Sequence, residues 1–205
     1  MPTLISKFLQ QRNFCVRIGN TMSDRFVQEN GVPQGSILSV TLFGLKINNI
    51  FNCLSGGIED SLFVDDFGVC CRSKHMRTIE RKLQLSLNKL QKWTEENGFK
   101  FSDSKTVCVH FCNQRRMHAD PHLTLNNKVI PVERQAKFFG VIFDSKCSFI
   151  PHLRNLKTKC TKALNLMTVI ASKGWGSDTE MLLRLYRSLV SSKLDYGSIV
   201  YGSAT

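Results

Sequence analysis

The sequence predicts an α+β fold, with a small antiparallel sheet and its helices over residues 1–148 and a helical region over residues 149–205. Three observations lead to this prediction. Short apolar runs are paired around turn residues, which is typical of hairpins. Residues 74–97 repeat apolar side chains at three- and four-residue steps, and the pattern after Phe149 is helical. At 205 residues, the chain is long enough to bury a sizeable core.

The first predicted elements are a helix and two strands. Pro2 suits the first turn of a helix that runs to Arg12 and has its apolar residues on one side. Asn13 to Gly19 alternates as a strand. The turn at Gly19-Asn20 then leads into a second predicted strand, around Arg25 to Gln28.

Two longer helices are predicted next. Ser36 to Leu54 is mostly apolar and is stopped by Ser55-Gly56-Gly57. Lys74 to Asn97 is strongly amphipathic and ends at Gly98. Its apolar stripe consists of Met76, Ile79, Leu83, Leu87, Leu90 and Trp93. A stripe at this spacing predicts a face that packs in the core rather than a cofactor site.

The last part of the chain combines hairpins with helices. We expect one hairpin at Leu123 to Ile130 and another at Phe138 to Phe143. The helix after Phe149 should bury one stripe, which consists of Leu153, Leu156, Cys160, Ala163, Leu164 and Met167. Gly174-Trp175-Gly176 breaks this helix, and Trp175 is either a packing anchor or a ring that stacks on a base.

Asp65 and Asp66 stand between two apolar runs, Ser61 to Val64 and Phe67 to Cys71. Successive side chains of a strand point to opposite faces, so both acids can line one face only if the backbone turns there. We therefore predict a hairpin with the acids at its tip. Carboxylate oxygens bind hard cations such as Mg²⁺, which makes the pair a candidate metal site. The alternative is an ordinary acidic surface turn.

The net charge of +12 favours a polyanionic partner, nucleic acid above all. The stretch from Phe149 to Lys173 contains five basic residues and no acid. These residues are Arg154, Lys157, Lys159, Lys162 and Lys173. The alternative is a solvated helix face, which is the usual place for a run of charges.

The eight cysteines predict an intracellular protein without disulfides, because several of them lie in apolar segments, as reduced core cysteines do. One set of residues has atoms suited to zinc: Cys108, Cys112, His118 and His122. Its spacing is shorter than the roughly twelve residues between the pairs of a two-Cys two-His finger. A simpler interpretation places Cys108, His110 and Cys112 on one face of a strand from Lys105 to Phe111.

We expect the protein in the nucleus or the cytoplasm. Residues 1–7 lack a basic leader and a long apolar core, so no secretory signal is predicted. No apolar run reaches about eighteen residues, so no transmembrane helix is predicted.

A loop motif precedes the acid pair, with the sequence Gly31-Val32-Pro33-Gln34-Gly35-Ser36-Ile37-Leu38-Ser39. Pro33 and Gly35 predict exposed backbone before a helix, Ser36 is a suitable N-cap, and helix N-termini favour phosphate. Alone, the motif is equally typical of an ordinary turn before a buried helix. Together with Phe63-Val64-Asp65-Asp66, in this order, it resembles reverse transcriptases.

Further motifs extend the resemblance over nearly the whole chain. Lys105, within Gly98 to Thr106, matches a family lysine near the nucleotide phosphates. Lys137 to Asp144 resembles the primer-grip hairpin. His152 to Leu166 and Ser192 to Gly197 resemble the thumb side of jockey-type non-LTR retrotransposon polymerases.

The resemblance implies a right-hand polymerase palm over residues 1–148 and a helical thumb over residues 149–205. It implies an RNA-directed DNA polymerase with Mg²⁺ or Mn²⁺ as cofactor and with RNA template, DNA primer and deoxynucleoside triphosphates as partners. Asp65 and Asp66 would be catalytic metal ligands, and Lys105 would stabilise or protonate pyrophosphate. The other implied contacts are Pro33, Gln34, Gly35 and Phe63 to nucleotide and template, Phe139 and Gly140 to the primer, and Arg154, Lys157 and Lys162 to the nucleic-acid backbone.

The sequence departs from the family pattern at three places. Val40 stands where many relatives have Pro, and Val64 stands where they usually have Ala. The first catalytic aspartate of the family is expected well upstream of Pro33, and neither Asp24 nor Glu29 has a suitable context. We therefore expect a segment that begins in mid-palm, binds its cation fully only with that aspartate and has little activity alone.

Two alternatives to a polymerase segment remain open. The chain is then either a nucleic-acid-binding remnant of a transposon without catalysis, or a pseudogene product that does not fold. Binding that weakens steeply with salt favours the first alternative. A cooperative unfolding transition counts against the second.

Overall fold

The structure is a computed structural model that describes residues 2–114, 119–171 and 176–202. The chain divides into two compact units, Met1–Cys70 and Cys71–Thr205. Helices and small two-stranded sheets make up both units, which confirms the α+β class. Among the described residues, no helix is long and apolar enough to cross a lipid bilayer. Four residues named in the sequence predictions lie outside the described ranges: His118, Lys173, Gly174 and Trp175.

The first unit begins with a helix and ends with a hairpin. Its helices are α1 (Pro2–Leu9), α2 (Ile37–Ile47) and a 3₁₀ helix (Asn48–Cys53). Its strands are β1 (Asn13–Phe14), β2 (Arg17–Ile18), β3 (Thr21–Met22), β4 (Phe26–Val27), β5 (Ile58–Phe63) and β6 (Asp66–Cys71). Strand β1 pairs antiparallel with β4, β2 pairs antiparallel with β3, and β5 pairs with β6.

Several predicted boundaries in this unit were wrong. Helix α1 ends at Leu9 rather than Arg12, because Gln11 takes a left-handed φ of 53°. The helix predicted to reach Leu54 is α-helical only to Ile47 and continues as the 3₁₀ helix. Residues 13–27 form two nested strand pairs instead of two single strands, since the turn after β2 leads directly into β3.

The buried core of the first unit is small. Ile47 and Ile50 are buried, while Ile37 on α2 is 89% exposed. The rings of Phe51 and Phe67 meet edge-on with centroids 6.2 Å apart, which connects the 3₁₀ helix to β6. The hairpin β5–β6 is therefore held to the rest of its unit by an aromatic contact.

The second unit contains more helix. Its helices are α3 (Met76–Asn97), α4 (Ile150–Ile170), α5 (Thr179–Tyr186), a π-helical turn (Arg187–Ser191), α6 (Ser192–Asp195) and α7 (Ser198–Tyr201). Its strands are β7 (Cys108–Val109), β8 (Thr124–Leu125), β9 (Lys128–Val129), β10 (Val132–Glu133), β11 (Gln135–Phe138) and β12 (Val141–Asp144). Both predicted hairpins are confirmed, as β8–β9 and β11–β12. The strand expected from Lys105 to Phe111 is only two residues long, and it pairs parallel with β10.

Helix α3 follows the sequence prediction closely. It ends at Asn97, and Gly98 caps it in the left-handed conformation with φ 72°. Leu87 from the predicted stripe is buried in one cluster with three residues of the β8–β9 region, which are Leu123, Leu125 and Ile130. The amide of Gln84 also binds both backbone groups of Thr124 at 2.9 Å. The predicted core face is therefore confirmed.

Helix α4 packs against β12 and the C-terminal helices. Their shared cluster consists of Val141, Phe149, Leu156, Cys160, Ala163, Val190 and Tyr201. Leu153 and Leu164 were predicted in this stripe but are 39% and 43% exposed. His152 is buried in their place, because it lies one turn before Leu156 on the same side of the helix.

The imidazole ring of His152 is buried in this core, where it accepts a hydrogen bond. Its Nδ1 accepts a hydrogen bond from the N–H of Ile142 at 3.3 Å, and its ring lies 4.8 Å from the ring of Tyr201. Within the described residues, its buried Nε2 has no hydrogen-bond partner. Burial and the nearby charge of Lys159 lower the pKa of His152 below its usual 6.5.

We expect acid to destabilise the chain through His152. A lowered pKa means that the neutral ring contributes stability above pH 6.5, and that this contribution is lost as the pH falls through the folded-state pKa. The free energy of unfolding, measured by urea denaturation, should therefore decrease between about pH 7 and pH 5. His152→Asn keeps an acceptor without the titration and should flatten this decrease. An equal decrease in both proteins would contradict the assignment.

Candidate catalytic hairpin and nucleic-acid surface

Asp65 and Asp66 lie at the tip of the hairpin β5–β6, as predicted. The connection consists of Val64 and Asp65, and a two-residue connection joins antiparallel strands. Val64 has φ 57°, an unfavourable conformation for a β-branched residue. Both acids and the preceding Phe63 are exposed. The two carboxylates are therefore accessible to a hydrated cation.

The donor atoms at this tip fit Mg²⁺ or Mn²⁺. Both cations prefer oxygen ligands, and Mg²⁺ is usually bound through one or two carboxylates together with water and phosphate oxygens. Within residues 2–114, 119–171 and 176–202, no group of three or more His, Cys, Asp or Glu side chains is arranged to hold a metal. The hairpin thus offers two carboxylates of an open site, and the described residues add no support for zinc.

The loop before α2 is held by two side chains, Arg12 from outside the motif and Ser39 from within it. Arg12 donates from Nη2 to the carbonyl of Gly31 at 2.6 Å and from Nε to the carbonyl of Leu9 at 3.1 Å. The hydroxyl of Ser39 donates to the carbonyl of Pro33. Both ends of the Pro33-centred loop are therefore tied to neighbouring elements of the first unit.

Helix α2 begins directly after this loop. Ser36 holds the N-cap position with extended φ and ψ, but its hydroxyl makes no capping hydrogen bond. Gly35 has φ 91°, and a Cβ at this position would meet no atom within 4 Å. Glycine is therefore favoured here by the left-handed backbone conformation, and not by a steric clash that a side chain would cause. Gln34 and Gly35 are exposed beside the N-terminus of the helix, where backbone N–H groups can bind phosphate.

Lys105 lies in the second unit, on a turn that precedes β7. Its N–H donates to the carbonyl of Ser102 at 3.2 Å, and its side chain is exposed. Neighbouring Asp103 accepts hydrogen bonds from Lys128 at 2.6 Å and from the amide of Asn126 at 3.2 Å. These two hydrogen bonds lower the pKa of Asp103 and tie the turn to the β8–β9 hairpin.

Phe139 and Gly140 form the turn between β11 and β12. Their φ angles of 49° and 81° are both left-handed, as a two-residue type I′ turn requires. The strands close on the pair Phe138 and Val141, and the rings of Phe138 and Phe139 stack with centroids 3.9 Å apart. From the C-terminal segment, the hydroxyl of Tyr196 donates to the carbonyl of Phe139 at 2.8 Å.

Arg154, Lys157 and Lys162 are exposed on α4, outside the buried stripe that contains Leu156 and Cys160. The predicted separation of a basic face from a packed face is therefore present. None of the ion pairs within the described residues involves these three side chains. Their charge is available to an external anion.

The candidate residues are divided between the two units. The first unit holds the acid pair and the loop around Pro33, and the second holds Lys105, the Phe139-Gly140 turn and the basic face of α4. The structure adds supports that sequence reasoning missed, which are Arg12, Asp144 and Tyr196. No local pattern marked any of these three residues, since Asp144 ends β12 and lies six positions before the first residue of α4.

Comparison with known proteins gives one family. Residues 1–143 match the family model described as "Reverse transcriptase (RNA-dependent DNA polymerase)". The chain is 28% identical over 208 residues to the "RNA-directed DNA polymerase from mobile element jockey" of Drosophila melanogaster. It is 24% identical over 204 residues to the "Probable RNA-directed DNA polymerase from transposon X-element" of the same species. Both alignments cover 98% of this chain and 22% of the relative.

A shorter alignment reaches the "Retrovirus-related Pol polyprotein from type-1 retrotransposable element R1 2" of Nasonia vitripennis. It is 25% identical over 152 residues and covers 71% of this chain and 37% of the relative. The chain therefore spans less than two fifths of each of these relatives. No solved structure matches it.

Proposed function

Because this chain belongs to the reverse transcriptase family and resembles polymerases of non-LTR retrotransposons, we propose that it acts as part of an RNA-directed DNA polymerase. The observation that carries the proposal is the exposed pair Asp65 and Asp66 at a hairpin tip inside the matched region. In functional terms, residues 1–148 would belong to the palm and residues 149–205 to the thumb. RNA template, DNA primer and deoxynucleoside triphosphates would be the partners.

Asp65 and Asp66 would hold Mg²⁺ or Mn²⁺. When bound there, the cation lowers the pKa of an attacking hydroxyl and stabilises charge on the phosphate oxygens. In the family pattern a further aspartate completes this centre. The turn conformation supports the role of the pair, because it leaves both carboxylates at the tip and exposed.

The remaining candidates would bind and orient the substrates. Gln34 and Gly35 would position the nucleotide beside the N-terminus of α2, where N–H groups favour phosphate. Lys105, whose side chain is exposed, would stabilise or protonate the pyrophosphate. Phe139 and Gly140 would hold the end of the primer on the turn between β11 and β12.

The direct test is incorporation of deoxynucleotides on an RNA template by the polymerase that contains this chain. Extension that requires template, primer and Mg²⁺ or Mn²⁺ supports the proposal. Nucleic-acid binding without any extension would favour the second candidate, a non-catalytic binding role. The exposed basic face of α4 is the observation in favour of that candidate.

The basic face of α4 makes a separate prediction about salt. Replacing Arg154, Lys157 and Lys162 by Ala removes three phosphate contacts, so the slope of log affinity against log salt should become shallower by about 2 to 3. Fluorescence anisotropy of a labelled duplex between about 50 and 200 mM salt measures this slope. A matched control replaces three exposed basic residues of α3, which are Arg77, Arg81 and Lys92. Equal slopes for the two triple variants would contradict the assignment.

A further inference from the structure

The segment from Ser192 to Gly202 packs against the turn between β11 and β12. Tyr196 contacts both residues of the turn, although it lies 57 positions after Phe139 in the chain. Its hydroxyl donates to the carbonyl of Phe139 at 2.8 Å. Its ring carbon Cε1 lies 3.0 Å from the position that a Cβ on Gly140 would take. One side chain thus fixes a backbone carbonyl and covers the neighbouring glycine.

This turn needs an external support. Phe139 has φ 49°, which is sterically unfavourable for a residue with a Cβ. Such a conformation persists where the surrounding structure holds it, often at a binding site. Stacking on Phe138 holds the ring of Phe139, and the Tyr196 hydroxyl holds its carbonyl.

The position of Tyr196 is itself fixed by contacts of the residues that follow it, Gly197 and Tyr201. Gly197 has φ 72°, and a Cβ there would lie 3.0 Å from Cγ2 of Val141, so glycine permits the close approach to β12. Tyr201 is buried, donates to the carbonyl of Leu194 and packs on the ring of His152. Tyr196 is nevertheless 59% exposed, so it lies at the surface beside the turn.

We propose that Tyr196 is a positioning residue that sets the shape of the Phe139-Gly140 turn for the 3′ end of a primer. The inference rests on the primer-binding role given to this turn in the proposed function. Tyr196 acts through the carbonyl of Phe139 and through its contact with Gly140, and it takes no part in the chemistry. Recognition of the primer end, and not general affinity for nucleic acid, should therefore depend on it.

The test measures end preference in the full 205-residue chain. A labelled DNA primer annealed to an RNA template with a recessed 3′ end is compared with a blunt duplex of equal length, by anisotropy at constant salt. The wild type should bind the recessed end more tightly. Tyr196→Phe removes one hydrogen bond and should reduce this preference about fivefold, with affinity for the blunt duplex unchanged.

Two further variants complete the design. Gly140→Ala places a methyl group 3.0 Å from the Tyr196 ring at φ +81°, so it should reduce the preference as well. Tyr186→Phe removes the hydroxyl of an exposed tyrosine on α5 and should change nothing. Circular dichroism melting of each variant shows whether the fold is intact.

Each other outcome overturns the inference in a distinguishable way. If the wild type prefers the recessed end and the Tyr196 and Gly140 variants keep the full preference, the positioning role is wrong and the primer-binding turn stands. If Tyr196→Phe lowers only the melting temperature, its role is structural. If the wild type binds both ends equally, the primer-binding role of the turn fails, and the positioning role fails with it.

Discussion

Asp65→Asn is expected to lower primer extension on an RNA template by about a thousandfold or more. The amide keeps the size of the side chain but removes the negative charge that is proposed to hold a divalent cation. A catalytic cation contributes several kcal/mol to phosphoryl transfer, and each 1.36 kcal/mol corresponds to about tenfold in rate. The measurement is steady-state incorporation by the proposed polymerase that contains this chain, at saturating Mg²⁺.

A matched control is available on the same hairpin. Asp60 is exposed on β5, so Asp60→Asn makes the same charge change away from the tip. It should leave extension close to the wild-type rate. A second readout uses the 205-residue chain alone, where Mn²⁺ binding followed by electron paramagnetic resonance should weaken with Asp65→Asn only. Undiminished extension by Asp65→Asn would refute the role of this residue.

The largest expected effect on stability comes from Asp144, which is buried at the end of β12. Its carboxylate accepts hydrogen bonds from the N–H groups of Lys146, Ser148 and Phe149 at 3.2, 3.1 and 2.7 Å. The hydroxyl of Ser148 adds a fourth bond at 3.0 Å. These bonds shape the segment that leads into α4, where Phe149 has a left-handed φ of 55°.

Asp144→Ala should lower the free energy of unfolding by about 3 kcal/mol, because several donors lose a charged acceptor in a largely buried place. Urea denaturation followed by circular dichroism at neutral pH measures this change. Asp195→Ala, at an exposed acid of α6, is the control and should stay within about 0.5 kcal/mol of the wild type. Equal denaturation midpoints for Asp144→Ala and the wild type would contradict the expectation.

The same variant predicts a dependence on pH. Burial raises the pKa of Asp144, but its hydrogen bonds to Ser148, Phe149 and Lys146 outweigh burial and hold the pKa below its usual 3.8. The ionised group therefore contributes stability above pH 3.8, and this contribution is lost as the pH falls through the folded-state pKa. The difference between wild type and Asp144→Ala should shrink in acid.

The sequence by itself determined the features that depend on nearby residues. The apolar steps of α3 and the stop at Gly98 were predictable, because helix periodicity and glycine capping are local. The hairpin turn at Val64 and Asp65 was predictable for the same reason, since the neighbouring acids between two apolar runs can line one face only if the backbone turns there. The ordered motifs also indicated the family.

Only the tertiary structure decided which distant residues support these features. Arg12 holds the carbonyl of Gly31 from 19 positions away, and Tyr196 holds the carbonyl of Phe139 from 57 positions away. Two further features were decided only by the tertiary structure. His152 is buried instead of Leu153, and β7 pairs parallel with β10. Such contacts depend on how elements pack and on which backbone groups still need a partner. The periodicity of a single sequence shows neither how the elements pack nor which backbone groups still need a partner.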